Sequence, residues 1–214
     1  MHTTATPESL QTAATYLSQA DARLAPVIAR AGIARIVPNK NYYQALVESI
    51  ISQQLSVKAA ATITKRFLEL FPSDGFPTPG QILETDIEIL RGVGLSRQKA
   101  TYIQDLAVKV LEETVRFNHL DTLTNDEVIA ELTKIKGVGI WTVHMFLMFC
   151  MGRLDVLPTG DLGIKNGMYK LYTLDEKPTP DEMTQLAKDN LWHPYETVAS
   201  WYIWHSLDNQ PVIT

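Results

Sequence analysis

Apolar positions along this chain recur three and four residues apart in segment after segment, and nowhere alternate with a period of two over a useful length. The pattern predicts an all-α fold with few strands or none. Capping residues mark where the helices begin. Thr6-Pro7-Glu8 opens a helix running to about 18, and Asp21 is placed to cap the next, which ends at Gly32. Asn41 caps a helix whose apolar face is Tyr42, Leu46, Val47, Ile50 and Ile51, and Ser56 caps another over 57–71. The Pro/Gly-rich stretch 71–80 reads as a connector and as the boundary between two lobes. A helix is predicted over 97–113, and Thr124-Asn125-Asp126-Glu127 and Thr179-Pro180-Asp181-Glu182 have the capping-box form. A last helix, rich in large apolar residues, follows His193-Pro194.

Chemistry concentrates in residues 132–165. One helix stops near Leu132, Gly137-Val138-Gly139 makes a tight hairpin, and a second helix starts at Ile140. Glycine suits such a hairpin because it adopts backbone angles closed to other residues and lets another group approach the backbone closely. A helix N-terminus with bare N–H groups is a ready anion site, and the expected anion is a phosphate. About twenty residues further on, in Leu157-Pro158-Thr159-Gly160-Asp161-Leu162-Gly163, a lone carboxylate stands where a new helix begins. Asp161 can be an ordinary helix cap or a positioned catalytic group. Gln53-Gln54, tandem amides at a helix junction, read equally as a polar turn or as a functional loop. Gly92-Val93-Gly94 echoes the hairpin, although glycine also ends helices for structural reasons alone.

At 214 residues, 45% hydrophobic and 20% charged, the chain has an ordinary globular composition. No window approaches the roughly 18 apolar residues of a membrane span, and the N-terminus lacks the basic start and apolar run of a secretory signal. A cytoplasmic location is expected, on the nucleoid if the source is bacterial. The single Cys150 excludes an internal disulfide, a cysteine zinc cage and a four-cysteine iron–sulfur cluster. A net charge of −5 argues against an extended basic face for nucleic acid. Basic residues nevertheless outnumber acidic ones in 91–109 and 134–170, which leaves room for a small DNA footprint made by backbone N–H groups.

Three stretches, 49–56 with Gln53 and Gln54, 132–142 with the two hairpin glycines, and 157–165 with Asp161, resemble the helix-hairpin-helix DNA glycosylase superfamily, and within it the alkylpurine branch (3-methyladenine DNA glycosylase II). The resemblance implies two helical lobes flanking a DNA-binding cleft. One would span approximately 40–150 with the hairpin at 132–142, the other 1–39 plus 151–214; as a departure from larger relatives of the bacterial type, a chain of this length is expected to have no N-terminal β subdomain. It implies that Asp161 is the catalytic carboxylate and that Gly137, Gly139 and Thr142 hold backbone phosphate. Gln53, Gln54, Leu55 and Ser56 match the loop that enters the duplex where the target base leaves, with Gln54 and Leu55 as rival wedges. Trp141, Met145 and Trp204 match positions around the base pocket. Met145 stands where the family often has Tyr, and His205 follows Trp204 where an aromatic is usual. Some family hairpins hold a monovalent cation, which here would be a sodium or potassium ion on the carbonyls of Thr133, Ile135 and Gly137. No cofactor is required by the implied reaction.

The implied activity is hydrolysis of the N-glycosidic bond of alkylated bases, of the 3-methyladenine and 7-methylguanine type, in double-stranded DNA after base flipping. Bifunctional relatives carry a Lys nucleophile two residues after the second hairpin glycine. Trp141 occupies that position, and an indole cannot form a Schiff base. A monofunctional, monomeric enzyme that leaves an abasic site is therefore expected. The alternatives are a mismatch or oxidised-base glycosylase, and a non-catalytic helix-hairpin-helix module that binds DNA.

Overall fold

The computed structural model describes residues 2–71 and 75–207. In chain order these form α1 (Pro7–Ala20), α2 (Ala25–Ala31), α3 (Tyr42–Ser52), α4 (Val57–Glu69), α5 (Pro79–Glu84), α6 (Ile87–Gly92) and α7 (Arg97–Leu111). A 3-10 helix (Phe117–Thr122), α8 (Asn125–Leu132) and α9 (Ile140–Met145) follow. The last of these runs on into a π-helical turn (Phe146–Cys150), before α10 (Leu162–Leu171), α11 (Pro180–Asp189) and α12 (Glu196–Ser206). Apart from one isolated antiparallel bridge between Thr4 and Arg153, the described residues form no strand, so the fold is all-α. No described helix is long and apolar enough to cross a membrane.

The expected caps form at Asn41, Ser56, Thr124 and Thr179, each side-chain oxygen accepting a backbone N–H of the first turn. Three sequence readings are corrected. Asp21 does not cap α2, whose N-cap is Leu24; its Oδ1 accepts the N–H groups of Arg23 and Leu24 in the turn before that helix. The helix from Arg97 stops at Leu111, because Glu113 adopts a left-handed φ of 55° that an α-helix cannot continue through. The Pro/Gly-rich stretch is not a lobe boundary. Its residues 72–74 lie outside the described residues, and Thr78-Pro79 is a capped helix start, Pro79 being the first residue of α5.

The chain divides into two compact units, one made of residues 41–143 and the other of residues up to 40 together with those from 144 on. In the first, α3, α5 and α7 pack through Leu46, Ile50, Ile82, Ile103 and Leu106, all fully buried. In the second, α12 is the buried centre. Every residue from 197 to 204 is buried, Thr197 and Ser200 among them, so this helix is covered all round rather than along one stripe. Asp21 ties three elements together here, its Oδ2 accepting from Trp192 Nε1 at 2.7 Å and from the Tyr172 hydroxyl. Four hydrogen bonds on a fully buried carboxylate satisfy the charge that burial would otherwise penalise.

α10 lies close on α12 because glycines face it. A Cβ on Gly167 would sit 2.3 Å from Ile203 Cγ2 and 3.0 Å from the Ile203 carbonyl oxygen, part of which is rigid backbone. Gly167→Ala is therefore expected to lower stability by about 1–3 kcal/mol in urea denaturation, an overpacking cost. Gly160→Ala, whose added methyl meets nothing within 4 Å, should change it far less.

Candidate active site and DNA interface

The loop between α3 and α4 is built from a helix ending. The N–H of Gln53 donates to Ser49 O at 3.2 Å, closing α3, and Gln54 then turns the chain in the left-handed region, φ 58°. That conformation costs a residue with a Cβ about 1–2 kcal/mol, so other contacts must hold it. Gln54 and Leu55 project outward, Leu55 being 38% exposed. Ser56 caps α4 by accepting the Ala59 N–H at 3.3 Å. Gln53 differs from its neighbour: its Nε2 donates to the carbonyl of Gly137 at 2.9 Å and joins the loop to the hairpin.

The two hairpin glycines serve different ends. Gly137 has φ 79°, and a Cβ there would lie 2.0 Å from the Tyr102 ring, so this glycine is required by conformation and by packing. Gly139 meets nothing within 4 Å and leaves the space before α9 open. The ladder of α9 begins with Val143 N–H to Gly139 O at 3.1 Å, so the N–H groups of its first turn have no carbonyl of their own helix to bond. Ile140 and Trp141 are 57% and 48% exposed beside this opening. Thr142, in the first turn of α9, is 6% exposed. Of the carbonyls expected to hold a cation, Gly137 O accepts from Gln53 and Ile135 O accepts the Val138 N–H at 3.1 Å. Each carbonyl oxygen carries a second lone pair.

Three residues of α7 that sequence reasoning passed over hold this region from beneath. Lys99 Nζ donates to Ile51 O at 2.7 Å and to Gln53 O at 2.5 Å. Tyr102 fills the space against Gly137, and Asp105 Oδ2 accepts the Lys136 N–H at 2.9 Å. Burial alone would raise the Asp105 pKa. The Lys136 hydrogen bonds and the nearby Lys109 and Lys136 charges outweigh it and hold the carboxyl below its ordinary value. Burial lowers the Lys99 pKa. Their spacing, i, i+3 and i+6, is the one signal in the sequence that places them on a common helix face.

In the other unit, Asp161 is the N-cap of α10. Its Oδ1 accepts the Ile164 N–H at 2.8 Å and the Trp204 Nε1–H at 3.0 Å, and the side chain is 9% exposed. Asp161 is thus the helix cap weighed above, and the hydrogen bonds of the cap fix the carboxylate in place. Gly163 permits it, because a Cβ there would lie 2.7 Å from Trp204 Nε1 and 3.0 Å from Asp161 Oδ1. Trp204 is 7% exposed and packs on Phe149, with ring centroids 5.9 Å apart. The Trp204 indole N–H is thus directed at the carboxylate, a role the sequence did not suggest. His205 stacks on Trp201, with centroids 3.5 Å apart. Met145 ends α9, half-buried and one turn beyond Trp141.

Residues 47–193 match the model of the HhH-GPD superfamily of base excision DNA repair proteins. The alkylbase DNA glycosidase-like protein mag2 of Schizosaccharomyces pombe is 33% identical over 193 residues, 88% of this chain and 90% of that protein. DNA-3-methyladenine glycosylase 1 of the same organism is 37% identical over 171 residues, 79% of this chain and 74% of its own length. Among solved structures, the S. pombe 3-methyladenine DNA glycosylase in complex with abasic DNA superposes with a TM-score of 0.78 at 34% identity, covering 90% of this chain and 95% of that one.

Trp204→Phe keeps an aromatic ring against Phe149 and deletes the donor to Asp161. It is expected to cost about 1.5–3 kcal/mol in guanidinium unfolding, the range for a hydrogen bond to a charged group.

Proposed function

The chain belongs to the HhH-GPD superfamily of base excision DNA repair proteins, and from that premise we propose that it is a monofunctional DNA glycosylase of the 3-methyladenine type. The observation that carries the reading is Asp161, a single carboxylate held by two donors at the start of α10, in a chain whose hairpin is followed by Trp141 and not by a lysine nucleophile.

A base inside the stack does not expose its sugar, so the target nucleotide is turned out of the duplex at a cost of a few kcal/mol, least for damaged bases. Phosphate held at the open front of Gly139, and a gap filled by Gln54 or Leu55, offset that cost. The engagement of Gln53 with Gly137 favours Gln54 and Leu55 as the inserting pair. At the sugar, the bond from C1′ to the ring nitrogen breaks with its electron pair going to the base, and an oxocarbenium-like charge develops. Asp161 stabilises that charge and orients a water, whose oxygen bonds to C1′ while its proton is released. Alkylation at a ring nitrogen makes the base cationic beforehand, so it leaves neutral and needs no general acid. The indole of Trp141, 48% exposed as a residue, would add about 0.5–2 kcal/mol of cation–π preference for such a base if the base stacks on its face.

The carbonyls of Thr133, Ile135 and Gly137 would hold a sodium or potassium ion, which when bound supplies positive charge near the phosphate. A protein acting on one nucleotide at a time needs no symmetry, and it works as a monomer.

The test is release of 3-methyladenine and 7-methylguanine from methylated duplex DNA. Wild type is expected to release them and Asp161→Asn is not, while both bind a duplex carrying an abasic analogue. Base release by Asp161→Asn at the wild-type rate would overturn the catalytic assignment, and binding without release of any lesion by wild type would leave a DNA-binding module. Gly139→Asp, at a position with room for the side chain, should keep its fold and bind every duplex at least about tenfold more weakly, because a carboxylate then faces phosphate. Product strands should stay intact until treated with alkali or heat.

A further inference from the structure

The C-terminal carbonyls of α3 have no intrahelical donors, and a cation in that position both bonds them and complements the negative end of the helix. Lys99 is that cation. It is half-buried on another helix, 46 residues away in sequence from the Gln53 carbonyl it bonds. Its two bonds fall on Ile51 O and Gln53 O, the last turn of α3 and the residue just before the left-handed Gln54. Gln53 in turn reaches Gly137 O, and Gly137 rests on Tyr102, one turn along α7 from Lys99. One face of α7 therefore touches the loop, the residue that bridges loop to hairpin, and the hairpin itself.

We propose that Lys99 is a positioning residue for base flipping: by bonding Ile51 O and Gln53 O it sets the left-handed turn that presents Gln54 and Leu55 to the duplex, and through Gln53 it couples that loop to the phosphate-holding hairpin. The inference rests on the reading of 53–56 as the duplex-entering loop. Its physical content is preorganisation. A loop already fixed in its inserting conformation loses less freedom when the base leaves the stack. Without Lys99, the two carbonyls turn to water and Gln54 is free to leave the left-handed region.

The test compares wild type, Lys99→Met, Gln53→Met and the double variant. Three quantities are followed: single-turnover release of 7-methylguanine, fluorescence of 2-aminopurine placed beside an abasic analogue as a report of unstacking, and melting temperature. Each single variant should slow release and reduce the unstacking signal about tenfold, as expected for loss of a bond to a charged or strained group. The double should fall no further than the worse single, because both act through one loop. Lys99→Arg should recover part of the loss. A Lys99→Met protein that releases base at the wild-type rate would overturn the proposal. So would a double variant roughly a hundredfold slow, the product of independent effects. Should Lys99→Met not be folded at the assay temperature, Lys99→Arg combined with Gln53→Met completes the same cycle. Failure of wild type to release any alkylated base would instead strike the glycosylase reading, and the unstacking signal on the abasic-analogue duplex would still decide whether Lys99 and Gln53 act together.

Discussion

A chain folded into short helices must satisfy many helix ends, and in this protein that constraint shapes the candidate site. Even the longest helix among the described residues, α7, has 15 residues. Each start leaves N–H groups and each finish leaves carbonyls without a partner in the helix itself. Most starts are closed by a side chain of the local sequence, as at Asn41, Ser56 and Thr124. The residues of the candidate site are variants of the same problem. Asp161 closes the start of α10 and is thereby fixed in place, Lys99 closes the finish of α3, and the start of α9 is left without a side-chain plug in front of Gly139.

The local part of this scheme was legible in the sequence because a cap and the N–H it binds lie within three residues. Helix starts at Pro7, Tyr42, Val57, Arg97, Asn125, Ile140 and Pro180 could all be read from the residues before them. The all-α class followed from periodicity alone. Partnerships across the chain could not be read in this way. Trp204 with Asp161, Lys99 with Gln53 and Trp192 with Asp21 join residues 43, 46 and 171 positions apart, and a lone Trp or Lys gives no sign of its partner. Gly137 and Gly139 looked alike in the sequence, and only the Tyr102 ring separates a glycine needed for packing from one that leaves space.

The division into units was misread at 71–80 for a related reason. Proline and glycine mark a change of chain direction, and here they mark the start of α5. The chain instead passes from one unit to the other at residue 40 and again between 143 and 144, within α9. A helix running through a boundary keeps its periodicity, and composition gives no signal there. The same helix carries Trp141 in its first turn and Met145 in its last.

Lys134 and Lys136 beside the hairpin are exposed, but three lysines of this region are engaged by the protein's own oxygens. Lys99 is bonded to backbone carbonyls, and Lys109 and Lys136 pair with Asp105 at 3.6 and 3.3 Å. Affinity for DNA that comes from lysine and arginine on phosphate is carried by released counterions and falls steeply with ionic strength. Where phosphate is gripped by neutral N–H groups, fewer counterions are displaced. For a grip of that kind, affinity for duplex falls less steeply as salt is raised.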